Sequence, residues 1–80
     1  MKIQILGPGC ANCQNMEINA REAAMRLNID AEFEKITSAD EIVEMGVLRT
    51  PGIAIDGQVR KSGKVLSSDE IVELLRNYQS

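Results

Sequence analysis

The stretch KIQILGPGCANC, residues 2–13, decides how this chain folds. Residues 2–6 are rich in β-branched side chains, which favours a short strand. Residues 7–9, Gly-Pro-Gly, end that strand because proline lacks an N–H donor and glycine accepts the backbone angles of tight turns. A helix is predicted to follow at once, with Cys10 and Cys13 in its first turn. The stretch therefore predicts a strand, a turn and a helix that begins with a Cys-x-x-Cys pair.

The apolar positions of this first helix, predicted at residues 10–28, indicate which of its faces is buried. They recur at spacings of three and four, as on one stripe of a helix. The stripe consists of Cys13, Met16, Ala20, Ala23, Ala24 and Leu27. Ile18 and Met25 lie off it. We therefore expect Cys13 to be shielded by the core and Cys10, at the edge of the helix, to be accessible.

Local signals also divide the rest of the chain into elements. Ser38-x-x-Glu41 and Ser67-x-x-Glu70 have the form of capping boxes that open helices, and Asp56-Gly57 is a favoured two-residue hairpin turn. The predicted elements are strands at 31–36, 53–55 and 58–61, a helix at 38–45 that Gly46 closes, and a last helix after Ser67.

The resulting order, β-α-β-α-β-β-α, predicts an α/β fold in one domain that spans residues 1–80. The first two strands should be parallel and the last two should form a hairpin, giving a four-stranded mixed sheet with helices on both faces. The turn after the first strand lies at its carboxyl end, where α/β folds place their functional sites. The Cys pair is expected at this edge of the sheet.

Composition excludes several classes of function. A net charge of −3, with one Phe and one Tyr, provides neither a basic patch nor stacking surfaces for nucleic acid. No apolar run is long enough to span a membrane, and the first residues lack the pattern of a signal peptide. We therefore expect a cytoplasmic protein. In that reducing compartment a close Cys pair is typically redox-active or metal-binding.

The spacing of the two cysteines favours redox chemistry. Side chains at i and i+3 of a helix are neighbours, and the positive helix N-terminus stabilises a thiolate, lowering a Cys pKa from about 8.5 to about 7 or below. We expect Cys10 to attack a substrate disulfide and Cys13 to resolve the mixed disulfide. Three alternatives stay open: a soft, low-coordinate metal ion held by the two thiols, two inert packing cysteines, and a module that only binds partners.

With these residues placed, the chain resembles the thioredoxin superfamily in its short, glutaredoxin-like form. It is similar above all to the small redox-active disulfide proteins of archaea and bacteria. Residues 9–13 match the active-site loop of that family, and Thr50-Pro51 match the loop in which a cis proline faces the disulfide and binds extended substrates.

This resemblance implies a minimal three-layer thioredoxin-like fold and an enzyme, or electron carrier, that exchanges dithiols and disulfides. It implies that no metal or bound cofactor takes part, because the Cys10–Cys13 disulfide is itself the redox group. The implied partners are proteins or small thiols that contain disulfides, together with an electron donor similar to thioredoxin reductase. We also expect a monomer.

Some positions depart from the family pattern. Gly9 replaces the tryptophan that precedes the first cysteine in thioredoxin proper, and the first strand lacks a buried acid. Lys35 falls where the family keeps a buried lysine, but a solvated strand lysine fits the sequence equally well. Arg49 is a candidate to attract acidic substrates or steady the thiolate, with a solvated loop arginine as the alternative. Glu17 is a weaker candidate for a base, and a surface position is expected for it.

Overall fold

The computed structural model describes residues 1–79, which form four strands and three helices in the predicted order. The elements are β1 (Lys2–Leu6), α1 (Ala11–Arg26), β2 (Glu32–Ile36), α2 (Ala39–Glu44), β3 (Gly52–Ile55), β4 (Gln58–Ser62) and α3 (Ser68–Gln79). The predicted order is confirmed, and the predicted boundaries differ from these by a few residues at most.

The four strands form one mixed sheet in the order β2-β1-β3-β4. Strand β1 pairs in parallel with β2 and antiparallel with β3, and β3 and β4 form the predicted hairpin. Its turn residues Asp56 and Gly57 have φ angles of 50° and 86°, both positive as a tight type I′ turn requires. Because β1 is an inner strand, its carboxyl end brings the turn at residues 7–9 to the middle of one sheet edge.

The helices cover both faces of the sheet, which makes three layers. Successive residues of a strand point to opposite faces, and the side chains of β1 and β3 divide in this way between two buried clusters. Helices α1 and α3 pack on the face that carries Ile3, Ile5, Ile53 and Ile55. Helix α2 packs on the other face, where its Ile42 forms a second cluster with Leu6, Ile36, Val47 and Ala54.

Helix α1 buries the predicted stripe and exposes the residues predicted to lie off it. Cys13, Met16, Ala20, Ala23 and Ala24 are buried, whereas Ile18 is 61% and Met25 77% exposed. The helix ends two residues earlier than predicted because Asn28 adopts a φ of 56°. The N–H groups of Asn28 and Ile29 bond to the carbonyls of Met25 and Ala24, a Schellman ending.

Only one of the two predicted capping boxes forms. At α3, the Ser67 N–H donates to Glu70 and the Glu70 N–H donates to the Ser67 hydroxyl, each at 3.1 Å. At α2 the prediction is wrong, because the Ser38 side chain makes no capping hydrogen bond. This short helix is secured at its other end, where Gly46, at a φ of 86°, donates its N–H to the Val43 carbonyl.

Candidate active site

The Cys pair lies where β1 meets α1. The Gly7 N–H still bonds to the Ile36 carbonyl of β2, at 2.9 Å, and the chain then turns into the helix. Cys10 is the N-cap residue of α1 and is exposed, whereas Cys13, in the first turn, is only 4% exposed. As the apolar stripe predicts, solvent can reach the Cys10 thiol but not the Cys13 thiol.

The two sulfur atoms are in direct contact. Both cysteines are free thiols, and their Sγ atoms lie 2.7 Å apart in a hydrogen bond. The backbone N–H of Cys13 also donates to Cys10 Sγ, at 3.3 Å. A thiolate on Cys10 would therefore accept two hydrogen bonds, one from the Cys13 thiol and one from a backbone N–H that has no partner within the helix.

These contacts move the two pKa values in opposite directions. The pKa of Cys10 is lowered, first by the hydrogen bond from the Cys13 side chain and then by the backbone N–H of Cys13. The pKa of Cys13 is raised, first by burial and then by its hydrogen bond to Cys10. The negative charge of the reduced pair is therefore expected on the exposed sulfur, which is the one that a substrate can reach.

Gly7 makes room for the buried thiol, a role that the sequence analysis missed. A Cβ atom on this residue would collide with Cys13 Sγ and would lie 3.1 Å from Cys13 Cβ. It would also lie 3.7 Å from Thr50 Cβ. Gly7 thus sits between the Cys pair and the loop before β3. In the sequence it is only the first residue of a Gly-Pro-Gly turn, with no sign of this contact.

The Thr50–Pro51 peptide bond is cis, as the family resemblance implies. Pro51 is buried and Thr50 is exposed. The Pro51 carbonyl accepts a hydrogen bond from the Gly63 N–H at 3.0 Å, which ties this loop to the end of β4. Through Gly7, the fold brings Thr50 close to Cys13, which is almost forty positions away in the chain.

The remaining candidates take different places around the pair. Gly9 has a φ of 92°, and its carbonyl accepts a hydrogen bond from the Gln14 amide at 3.2 Å. Arg49 is exposed and lies against Gly63, and no ion pair holds it within residues 1–79.

Lys35 is not buried, so of the two placements predicted for it the solvated strand lysine is the one observed. Its side chain is 64% exposed because β2 is an edge strand, from which a long side chain reaches water. Its Nζ atom lies 3.4 Å from a carboxylate oxygen of Glu17.

Glu17 is more enclosed than the expected surface position. Its side chain is 16% exposed, and it pairs with Arg21 at 3.0 Å as well as with Lys35. Glu17 also lines, with Cys13 and Lys35, a cavity of about 60 Å³. The available sequence signal was its position four residues after Cys13, on the same face of the helix.

The described residues show neither a metal-binding cluster nor a membrane-spanning helix. Across residues 1–79 no three or more His, Cys, Asp or Glu side chains gather in a way that suits a metal ion. Over the same range, no helix is both long and apolar enough to cross a membrane.

The site consists of an exposed thiol that is hydrogen-bonded to a buried thiol, and it lies beside a cis-proline loop at the edge of a mixed sheet. This arrangement defines a thiol–disulfide oxidoreductase of thioredoxin-like fold. The Thioredoxin domain family model matches residues 1–76, so this chain belongs to that family. The predicted resemblance and the predicted fold are thereby confirmed.

Two archaeal relatives, each named thioredoxin, support the same class of function. The first, from Methanothermobacter thermautotrophicus, is 56% identical over 75 residues, which cover 94% of this chain and 97% of the relative. The second, from Methanocaldococcus jannaschii, is 42% identical over 76 residues, or 95% of this chain and 87% of the relative. The predicted oxidoreductase activity is confirmed at the level of this class.

Proposed function

We propose that this protein reduces disulfide bonds of other proteins, with Cys10 as the nucleophile and Cys13 as the resolving thiol. One observation carries the assignment of roles: the exposed Cys10 sulfur lies 2.7 Å from the buried Cys13 sulfur and accepts a hydrogen bond from the Cys13 N–H. Cys10 is thus both the more accessible and the more readily ionised member of the pair.

The reaction proceeds in two exchanges. The Cys10 thiolate attacks one sulfur of the substrate disulfide, whose S–S bond breaks, and the other substrate sulfur leaves with the electron pair and takes up a proton. Cys13 then loses its proton and attacks Cys10 Sγ, which releases the first substrate sulfur as a second thiol. The substrate gains two electrons and two protons, and the protein is left with a Cys10–Cys13 disulfide.

The surface beside Cys10 suits an extended polypeptide substrate. In the loop of Thr50 and Pro51, Thr50 would offer its backbone groups to such a segment, because proline lacks an N–H and the Pro51 carbonyl already accepts from Gly63. Next to them, a groove of about 240 Å³ is lined by apolar side chains, among them Pro8, Val43 and Leu48. Leu48 is 85% exposed. These side chains supply apolar contact area that Gly9, in place of a tryptophan, does not. Arg49 is a candidate to favour acidic substrates.

The remaining parts of the proposal concern partners and setting. The proposed electron donor resembles thioredoxin reductase, and small thiols are further candidate substrates. We propose that residues 1–80 work as one domain and as a monomer, without a bound cofactor. One continuous sheet and a family match over residues 1–76 support the single domain. The proposed compartment is the cytoplasm, where a reducing thiol pool would return the pair to its dithiol form.

Trapping tests the two roles. A substrate protein with one accessible disulfide is mixed with the wild type, Cys13→Ser or Cys10→Ser, then quenched with acid and alkylated. Cys13→Ser should accumulate a mixed disulfide through Cys10, because no thiol remains to resolve it. Cys10→Ser should accumulate little. Equal trapping by both variants would show that the assigned asymmetry is wrong.

Turnover and metal content complete the test. With a chemical reductant present, the wild type should accelerate insulin reduction, and both serine variants should not. The same preparation, purified without chelator, is analysed for metal. No insulin reduction together with one bound metal ion per chain would favour the thiol metal-binding alternative.

A further inference from the structure

The buried thiol poses a chemical problem that the Cys pair alone does not solve. Cys13 must become a thiolate before it can attack the mixed disulfide, yet it is 4% exposed. In the mixed disulfide, Cys10 carries no charge and can no longer serve as a proton acceptor. Another group must take the proton from Cys13 at this stage.

The cavity beside Cys13 leads to such a group. Its volume of about 60 Å³ is enough for ordered water. Its walls include Glu17 and Lys35, and also the polar side chains of Gln14 and Thr37. Water in this space has hydrogen-bonding partners on several sides, so it can join the Cys13 thiol to the Glu17 carboxylate.

Glu17 is held in place by two ion pairs. It lies one helical turn after Cys13, and its two carboxylate oxygens are paired separately, with Arg21 and with Lys35. The side chains of Arg21 and Lys35 are 53% and 64% exposed. Water therefore screens both ion pairs, whose main effect is to orient the carboxylate beside the cavity.

We propose that Glu17 is the proton acceptor for the resolving thiol; this inference rests on the proposed exchange reaction. When Cys10 is in the mixed disulfide, the Cys13 proton passes through cavity water to the Glu17 carboxylate. The Cys13 thiolate attacks Cys10 Sγ, the bond from Cys10 to the substrate sulfur breaks, and its electron pair leaves with that sulfur. The substrate thiolate takes a proton from solvent, and Glu17 later returns its proton there.

The charged surroundings of Glu17 come from two elements. On α1 it faces Cys13 and Arg21, and on β2 it faces Lys35. Strand β1 adds only Ile5, and the turn after it only Gly7 and Gly9, to the cavity wall. As Glu17 becomes protonated, Lys35 loses its anionic partner and remains beside the cavity, where its charge stabilises the new thiolate.

The reagent 5,5′-dithiobis(2-nitrobenzoate) separates the two thiol steps in one experiment. Attack by Cys10 releases one coloured thiolate and leaves a mixed disulfide, and attack by Cys13 releases the second. Stopped-flow absorbance then gives one rate for each step. The reduced wild type is compared with Glu17→Gln and with Glu22→Gln, which removes the same charge from an exposed position of the same helix.

Glu17→Gln should slow the second release at least about tenfold at neutral pH and leave the first nearly unchanged, as expected for loss of a general base. Its second rate should rise with pH until hydroxide replaces the carboxylate. Glu22→Gln should match the wild type in both steps. A wild-type second rate and pH profile in Glu17→Gln would overturn the inference. A wild type that releases no second thiolate would instead overturn the exchange reaction itself.

Discussion

At the scale of single residues, the chemistry follows from the contact between two thiols in different surroundings. Cys10 lies in water at a helix N-terminus, and Cys13 lies under it in the core. The hydrogen bond between them lowers the pKa of Cys10, whereas burial, followed by the same hydrogen bond, raises the pKa of Cys13. Two positions of one four-residue motif therefore differ both in access and in the direction of their pKa shift.

Alkylation should report this difference. With limiting iodoacetamide, the reduced protein should be modified at Cys10 well before Cys13, because the thiolate is the reactive form. The Cys10 rate should reach half its maximum at a pH below the ordinary thiol value of about 8.5. Mass spectrometry after proteolysis measures both sites across a pH series. Faster modification of Cys13 would contradict the lowered pKa of Cys10.

Gly7 is the position at which the site cannot accommodate a side chain. Gly7→Ala should displace the Cys13 sulfur, because the new methyl group would occupy its place. Overpacking of this kind costs about 1–3 kcal/mol of stability. Urea unfolding measures that loss, and the two-step thiol assay should show a slower second release. Gly9→Ala provides a contrast, since no atom lies within 4 Å of the Cβ position there and only its φ of 92° opposes the change.

At the scale of elements, the two short polar motifs before α2 and α3 look alike in sequence and differ in structure. Ser67 and Glu70 exchange hydrogen bonds, whereas the Ser38 side chain makes none. Ser67→Ala should therefore destabilise the protein by about 1 kcal/mol. Ser38→Ala should change the unfolding free energy by less than about 0.5 kcal/mol. Equal losses in urea unfolding would show that Ser38 caps its helix after all.

Helix α3 is also joined to the β3–β4 turn. The Tyr78 hydroxyl donates to the Asp56 carboxylate at 2.5 Å, and Asp56 also accepts from the Lys2 N–H at 2.8 Å. The pKa of Asp56 is lowered, first by Tyr78 and then by Lys2, and the pKa of Tyr78 is raised by Asp56.

Tyr78→Phe should therefore lower stability in a definite pH window. The lowered Asp56 pKa stabilises the fold above the unfolded value of about 3.9, and the raised Tyr78 pKa stabilises it below about 10. The deficit should thus be largest between these limits and shrink as pH falls through the folded pKa of Asp56. Urea midpoints from pH 3 to pH 9 check this. The Arg60 guanidinium lies 4.9 Å from the centre of the Tyr78 ring, and a phenylalanine ring preserves that contact. A deficit independent of pH would exclude the carboxylate as its cause.

At the scale of the whole molecule, α1 connects the site to the core. Met16 follows Cys13 by one turn, is fully buried, and contacts the Leu66 N–H through its sulfur at 3.4 Å. Met16→Ala should cost about 2–5 kcal/mol, because it leaves a cavity between α1, the sheet and the chain leading to α3. Met25→Ala, at a position 77% exposed on the same helix, should stay within about 0.5 kcal/mol. Urea unfolding of both variants decides whether burial is the cause.

Much of this architecture could be predicted from local sequence. Element order, the hairpin turn at Asp56-Gly57 and the contrast between Cys10 and Cys13 depend on periodicity and on turn residues within a few positions of one another. Thr50-Pro51 was recognised through family resemblance, because nothing local distinguishes it from another turn. The capping box at Ser38 is predicted wrongly, because a side-chain hydrogen bond depends on the rotamer and its surroundings as well as on sequence spacing.

Helix and strand periods and helix ends are local properties, so neighbouring residues in the chain already specify the α/β order of elements and the accessible thiol. The distant residues that surround the buried thiol are specified by the packing of the fold. The parallel pairing of β1 and β2 places Lys35 beside Glu17, and the loop before β3 brings Thr50 into van der Waals reach of the Gly7 Cβ position, next to Cys13. These contacts join positions far apart in the chain, and their geometry follows from how the sheet and helices pack.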